Sequence, residues 1–174
     1  MNFIKYIPLI FFVTISIFFY NKIKYKKNLE PLSSALIKKK FPQLNIYGIN
    51  NEVDINSYIK NRSVIINIFA SWCGPCRIEH KVLKRFSKEY NIIGIAYKDS
   101  QKNINNFLDD LGNPYEKVFF DSSGIESINL GLYGVPETFF LDKESIILYK
   151  HVGPINEEEF KKITSKFFTN TNLR

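Results

Sequence analysis

Apolar positions along this chain follow three different patterns. The first is one long block. Residues 7–20 are 14 uncharged residues dense in Ile and Phe, and counting from Phe3 extends the run to 18, with Lys5 able to reach an interface. At about 1.5 Å per residue, 18 residues span roughly 27 Å, just enough for a bilayer core. The second pattern is short and dense: residues 63–70 and 91–97 are rich in Ile, with Val, Phe, Ala and Tyr, and predict buried strands. The third has helical spacing, over residues 75–90, 101–111 and 156–168. Asn156 is placed to cap the last of these, with Glu157, Glu158 and Glu159 in its first turn, where the helix dipole favours them. Weaker signals predict a strand at 44–49, a turn or short helix at 54–61, a strand at 117–121 and a helical turn at 123–130. A hairpin of strands 138–141 and 145–151 around Asp142-Lys143 completes the order. Alternating βαβ units followed by a hairpin and a final helix predict an α/β sandwich.

The 174 residues suit one domain plus an appendage, and 45% hydrophobic content with 16 phenylalanines allows a full core. The net charge of +7 would suit a nucleic-acid binder until its distribution is read. Residues 1–40 carry eight lysines against the single acid Glu30, whereas the rest of the chain carries 16 basic and 16 acidic side chains. The excess therefore sits beside the apolar block, a membrane-surface pattern and no nucleic-acid footprint. No small-x-small cleavage site follows the block closely; the first small cluster is Ser33-Ser34-Ala35. The expected organisation is an uncleaved single-pass anchor at 1–21, a basic tether at 22–43 and a domain at 44–174. Lysines flank the block more heavily on its C-terminal side, which by itself would keep the domain cytoplasmic. The redox chemistry argued next places it on the outer, periplasmic side of a bacterial inner membrane.

The only two cysteines lie in Trp72-Cys73-Gly74-Pro75-Cys76. A pair this close cannot staple distant parts of a fold; it can switch between dithiol and disulfide. A buried strand precedes it and a helix with Pro in its first turn follows, so Cys73 falls at a helix N-terminus. Orphan amides and the dipole stabilise a thiolate there, and such settings bring thiol pKa values into the range of about 3.5–7.5. Half of a zinc site and a static local disulfide are the competing readings. A zinc site needs two further ligands, and only His80 and His151 remain as histidines. No metal and no cofactor is expected.

With these residues in view, the chain resembles thioredoxin-fold proteins, and more narrowly the membrane-tethered thiol:disulfide interchange proteins of cytochrome c maturation, the DsbE/CcmG family. The resemblance rests on Ser33-Ser34-Ala35-Leu36-Ile37 with Phe41-Pro42, and on the extended active site from Trp72 to His80. It rests also on Leu111-Gly112-Asn113-Pro114-Tyr115 with Phe120-Asp121-Ser122-Ser123-Gly124, and on Tyr133-Gly134-Val135-Pro136-Glu137-Thr138-Phe139. Two positions vary: Gly-Pro separates the cysteines where the family more often has Pro first, and Asn67 stands where thioredoxins have a buried Asp.

The resemblance implies a thioredoxin-like fold with a central insertion behind one N-terminal transmembrane helix. It implies Cys73 as nucleophile, the more exposed thiol, and Cys76 as the resolving thiol. Glu79 falls three residues after Cys76, on the same helix face, and with Glu137 is the candidate for managing the resolving proton. The alternative for Glu79 is a solvated helix charge. Val135-Pro136 should be a cis peptide whose Val135 backbone pairs with an extended substrate, with Trp72 and Glu137 bordering that docking surface; the alternatives are half-buried packing for Trp72 and a strand cap for Glu137. Implied partners are apocytochrome c or a thiol protein of its maturation, and a membrane electron donor of the DsbD/CcdA type. The implied activity is a protein-disulfide reductase. The alternatives are a general periplasmic disulfide oxidoreductase, or a copper chaperone using Cys73, Cys76 and His80.

Overall fold

The computed structural model describes residues 3–25, 36–48 and 53–168. The chain divides into two units, Met1–Leu32 and Ser33–Arg174. In the first, a 3-10 turn over Phe3–Tyr6 leads into helix α1, Ile7–Tyr25. The apolar side chains from Ile7 to Tyr20 stand exposed along it. Among the described residues, no helix is long and apolar enough to cross a membrane. The stretch of α1 dense in Ile and Phe, Ile7–Tyr20, is 14 residues, about 21 Å of helix rise. Residues Pro31 and Ser33-Ser34-Ala35 of the expected tether lie outside the described residues.

The second unit is a six-stranded mixed sheet in the order β1-β4-β3-β2-β5-β6. Its strands are β1 Tyr47–Gly48, β2 Val64–Phe69, β3 Ile92–Tyr97, β4 Val118–Asp121, β5 Glu137–Leu141 and β6 Ile147–Val152. β2, β3 and β4 run parallel; β1, β5 and β6 are antiparallel to their neighbours. The helices are α2 Ile55–Ile59, α3 Gly74–Phe86, α4 Gln101–Leu111, α5 Ile125–Asn129 and α6 Glu157–Phe167. This is the α/β arrangement that the apolar pattern predicts. Asn156 caps α6 as expected, its side chain accepting from the Glu159 amide while Glu159 reaches back to the Asn156 amide.

Because side chains alternate across a strand, β2 divides its residues between two cores. Ile65 and Phe69 face Leu83 and Phe86 of α3, Ile104 and Phe107 of α4, and Phe160 and Ile163 of α6. Val64, Ile66 and Ile68 face Ile55 and Ile59 of α2, with Leu44, Phe119, Phe139 and Leu141. Asn67 falls on the first face, entirely buried.

Two elements are shorter than predicted. Of the described residues 44–48 of the predicted strand, Tyr47–Gly48 alone forms a strand, against Phe120 and Phe119, and residue 49 lies outside the described residues. At Leu44 the carboxamide of Asn56 takes the place of a neighbouring strand, accepting from the Leu44 amide at 3.0 Å and donating to its carbonyl at 2.7 Å. α3 ends at Phe86, and the Glu89 and Tyr90 amides both bond the Phe86 carbonyl at 3.0 Å. Tyr90 then packs edge-on to Phe160 as the chain turns towards β3.

Candidate active site

The strand-to-helix turn after β2 is held from the side. The Ser71 amide donates to Asp99 Oδ2 at 2.7 Å, and the Trp72 indole N–H donates to the Lys98 carbonyl at 3.2 Å. Trp72 otherwise remains 59% exposed. Cys73 is the N-cap of α3, with Pro75 in the first turn. Its sulfur accepts the Cys76 amide at 3.1 Å, so the helix directs one of its unpaired donors at the atom that would carry a thiolate. Cys73 and Cys76 form a disulfide. Cys73 is the more exposed of the two cysteines only by a narrow margin, and neither is open to solvent. In the disulfide form Cys73 is 4% and Cys76 2% exposed, because the Val135 carbonyl lies 3.5 Å from the Cys73 sulfur. The Val135–Pro136 bond is cis, as expected, with Val135 half-buried and Pro136 buried.

Glu79 is no solvated helix charge: it is 1% exposed, on the same buried face of α3 as Cys76. Its Oε1 accepts from Asn67 Nδ2 at 2.8 Å and its Oε2 accepts the Ile155 amide at 3.0 Å. Burial pushes the carboxyl up to about 7, against the two hydrogen bonds, which favour the anion. The folded protein thus holds this proton more tightly than the unfolded chain. The group's contribution to stability is complete below its unfolded value of 4.5 and is lost as pH rises through about 7. The gap corresponds to on the order of 3 kcal/mol. In denaturant titrations of the oxidised protein, the difference in unfolding free energy between wild type and Glu79→Gln should change by that amount between about pH 4 and pH 8. A constant difference would reject the assignment.

Glu137 does not join Glu79. In the register of β5, Thr138 pairs with Asn67 and Glu137 with Ile68, so consecutive residues face opposite sides of the sheet. The Glu137 side chain is fully buried and its Oε2 lies 2.8 Å from Lys150 Nζ. Its Oε1 accepts the Tyr133 amide at 2.9 Å, and Lys150 also donates to the Gly131 carbonyl at 2.6 Å. The pair thus braces the loop 131–136 from beneath, and a docked chain would not meet the Glu137 carboxylate. Lys150 escaped the sequence reading. Its signal was a lone lysine in an apolar strand, on the same face as a lone glutamate in the strand beside it.

His80 also differs from expectation. It is 2% exposed and its Nε2 lies 2.6 Å from the Gly112 carbonyl, with its ring edge-on to Phe107. Burial lowers its pKa, so the neutral ring donates from Nε2. That nitrogen is therefore engaged away from the sulfurs. Among the described residues no group of three His, Cys, Asp or Glu side chains is placed to hold a metal ion. The copper trio of Cys73, Cys76 and His80 is not assembled. His151 is partly buried in β6, 4.0 Å from Glu159 Oε2.

A family model described as Redoxin matches residues 37–166. The chain is 37% identical over 158 residues to the thiol:disulfide interchange protein DsbE of Haemophilus influenzae, covering 87% of each. The chain belongs to the DsbE family. It is also 36% identical over 146 residues to the DsbE of Escherichia coli, covering 78% of each. The thioredoxin domain of a thiol-disulfide oxidoreductase from Bacteroides vulgatus superposes with a TM-score of 0.64 at 16% identity. That match covers 78% of this chain and all of that one, and it bears on the fold alone. As a DsbE-family protein with a Cys73–Cys76 disulfide at a helix N-cap, the chain is a thiol–disulfide oxidoreductase with a thioredoxin-like fold.

Proposed function

We propose that this protein is a membrane-anchored disulfide reductase that keeps the haem-binding cysteines of apocytochrome c reduced, directly or through a partner thiol protein. The observation that carries the reading is the buried Glu79 carboxyl, titrating near neutrality three residues after Cys76 on one helix face. In the reduced protein, Cys73 thiolate attacks a substrate disulfide, forming a mixed disulfide and expelling one substrate thiolate, which takes a proton from water. Glu79 carboxylate then takes the Cys76 proton. Cys76 attacks the Cys73 sulfur, restoring the intramolecular disulfide and releasing the second substrate thiolate. Two electrons pass to the substrate, so the dithiol must be regenerated by a donor, here a membrane protein of the DsbD/CcdA type. A base near pKa 7 suits this step, with about half of it ionised at neutral pH and the anion basic enough to accept. The substrate lies along the Val135 backbone as an added strand, with Trp72 as its apolar border and Pro136 fixing the turn. Glu137 acts indirectly, as a positioning residue for that loop.

The anchor is α1 with the turn before it. A 3-10 turn rises about 2.0 Å per residue against 1.5 Å in an α-helix, so Phe3–Tyr6 and residues 7–20 together make roughly 29 Å, the thickness of a bilayer core. The catalytic domain is assigned to the periplasmic side, where a reductant fed by a membrane donor is needed. The reading is tested by equilibrating the full chain, in detergent, against glutathione or dithiothreitol and counting free thiols. A potential near the thioredoxin value of about −270 mV, or moderately above it, is expected of a reductant. A value near −120 mV, that of the oxidant DsbA, would make the protein a disulfide donor and overturn the proposal.

A further inference from the structure

The segment resembling the family's central insertion carries a phenol into the core beside Glu79. His80 holds this segment to α3 through the Gly112 carbonyl, and Lys84 Nζ does so through the Leu111 carbonyl at 3.2 Å. Asn113 Oδ1 accepts the Tyr115 amide at 2.9 Å, turning the chain inward. The Tyr115 ring then stacks on Phe69 with centroids 4.5 Å apart. Room for it exists because residue 94 of β3 is glycine: a Cβ there would lie 2.8 Å from the Phe69 ring and 3.1 Å from Tyr115 Cγ. At the end of this path the Tyr115 hydroxyl donates to Asn67 Oδ1 at 2.8 Å.

That bond decides which end of the Asn67 carboxamide faces Glu79. With Oδ1 held by Tyr115, Nδ2 donates both to Glu79 Oε1 and to Thr138 Oγ1, the latter at 3.1 Å. A carboxamide turned over would offer Glu79 an acceptor and favour the protonated acid. We propose that Tyr115 is a positioning residue which, through Asn67, presents a hydrogen-bond donor to Glu79 and so sets the pH window of the exchange reaction. The proposal rests on the reading of Glu79 as the proton acceptor for Cys76.

Asn67 of β2 and the Ile155 amide before α6 bond the two Glu79 oxygens, and the Tyr115 phenol feels the Glu79 charge. Thr138 of β5 joins through Asn67, and Cys76 and His80 are the other titratable groups buried on α3. His80 is neutral and committed to Gly112, and burial, then the negative charge of Glu79, keeps Tyr115 protonated. Asn67 is therefore the adjustable contact.

The test compares wild type, Tyr115→Phe, Asn67→Ala, their double variant and Glu79→Gln, all as full chains in detergent. Two titrations are run: the infrared band of the protonated carboxyl, and the rate of reduction of glutathione disulfide. Tyr115→Phe should move both midpoints up by about one pH unit, the scale of a lost hydrogen bond to a charged group. Asn67→Ala should move them in the same direction, and the double variant should add nothing to it. Unchanged midpoints in Tyr115→Phe, with both titrations lost in Glu79→Gln, would overturn the role of Tyr115 and leave that of Glu79 standing. An equal Tyr115→Phe shift in the Asn67→Ala background would show that the phenol acts by another route, and would also overturn it. If Glu79→Gln removed the infrared band but left the rate profile in place, the Glu79 reading would fall, and the proposed control of exchange with it.

Discussion

A Cys76→Ser chain should stop at the mixed disulfide. The Cys73 sulfur keeps its helix-end donor in this variant, because that donor is the backbone amide of residue 76 and survives the substitution. Attack on a substrate disulfide therefore still proceeds, while the thiol that resolves the adduct is gone. Mass spectrometry after mixing reduced protein with a peptide disulfide should find one covalent adduct per chain, stable until a reductant is added. Turnover should fall by at least about a thousandfold, the scale seen when one member of a concerted catalytic group is removed. Cys73→Ser should lose turnover as completely and form no adduct. If the adduct formed on Cys73→Ser and not on Cys76→Ser, the two sulfurs would have to exchange roles.

The second large effect lies on the other face of the sheet. Lys150→Ala should destabilise the protein by about 3–5 kcal/mol, because it leaves the fully buried Glu137 carboxylate without its counter-ion. It also removes the donor to the Gly131 carbonyl and the ammonium that lies 4.6 Å from the Tyr133 ring centre. Replacing both partners with apolar residues, as in Lys150→Met with Glu137→Leu, should cost far less than the single change. Thermal or denaturant unfolding of the two single variants and the double variant decides this. Additive losses would mean that the pair is not energetically coupled.

The fold was legible where periodicity and length agreed. β2 and β3 are fully or almost fully buried runs, apolar but for Asn67 in β2 and with Gly94 in β3, and α4 spans Gln101–Leu111 as its spacing predicts. The strand at 44–49 was overestimated because Asn56, nine residues beyond Tyr47, satisfies the Leu44 backbone in place of a strand. Local pattern carries no trace of such a contact. At the site, the spacing of Cys73, Pro75 and Cys76 was sufficient to place the sulfur at the helix end. Glu79 was legible as a member of the Cys76 face, but its burial depends on Asn67, Thr138 and Ile155 converging from three other segments. The same limit applies to His80, whose partner Gly112 is 32 positions away. Adjacency to Pro136 does not bring Glu137 to the cleft, because the strand's alternation turns its side chain to the opposite face.

That alternation has a bearing on how such a chain can diverge. Glu137 and Thr138 are neighbours in the backbone, yet one holds the loop proposed to meet a client and the other, through Asn67, adjoins the carboxyl proposed to handle a proton. The sheet keeps the two tasks in separate compartments. If both proposed roles hold, a lineage could retailor which clients it accepts, by altering the segment above Lys150, while inheriting its acid–base chemistry unchanged from the face below.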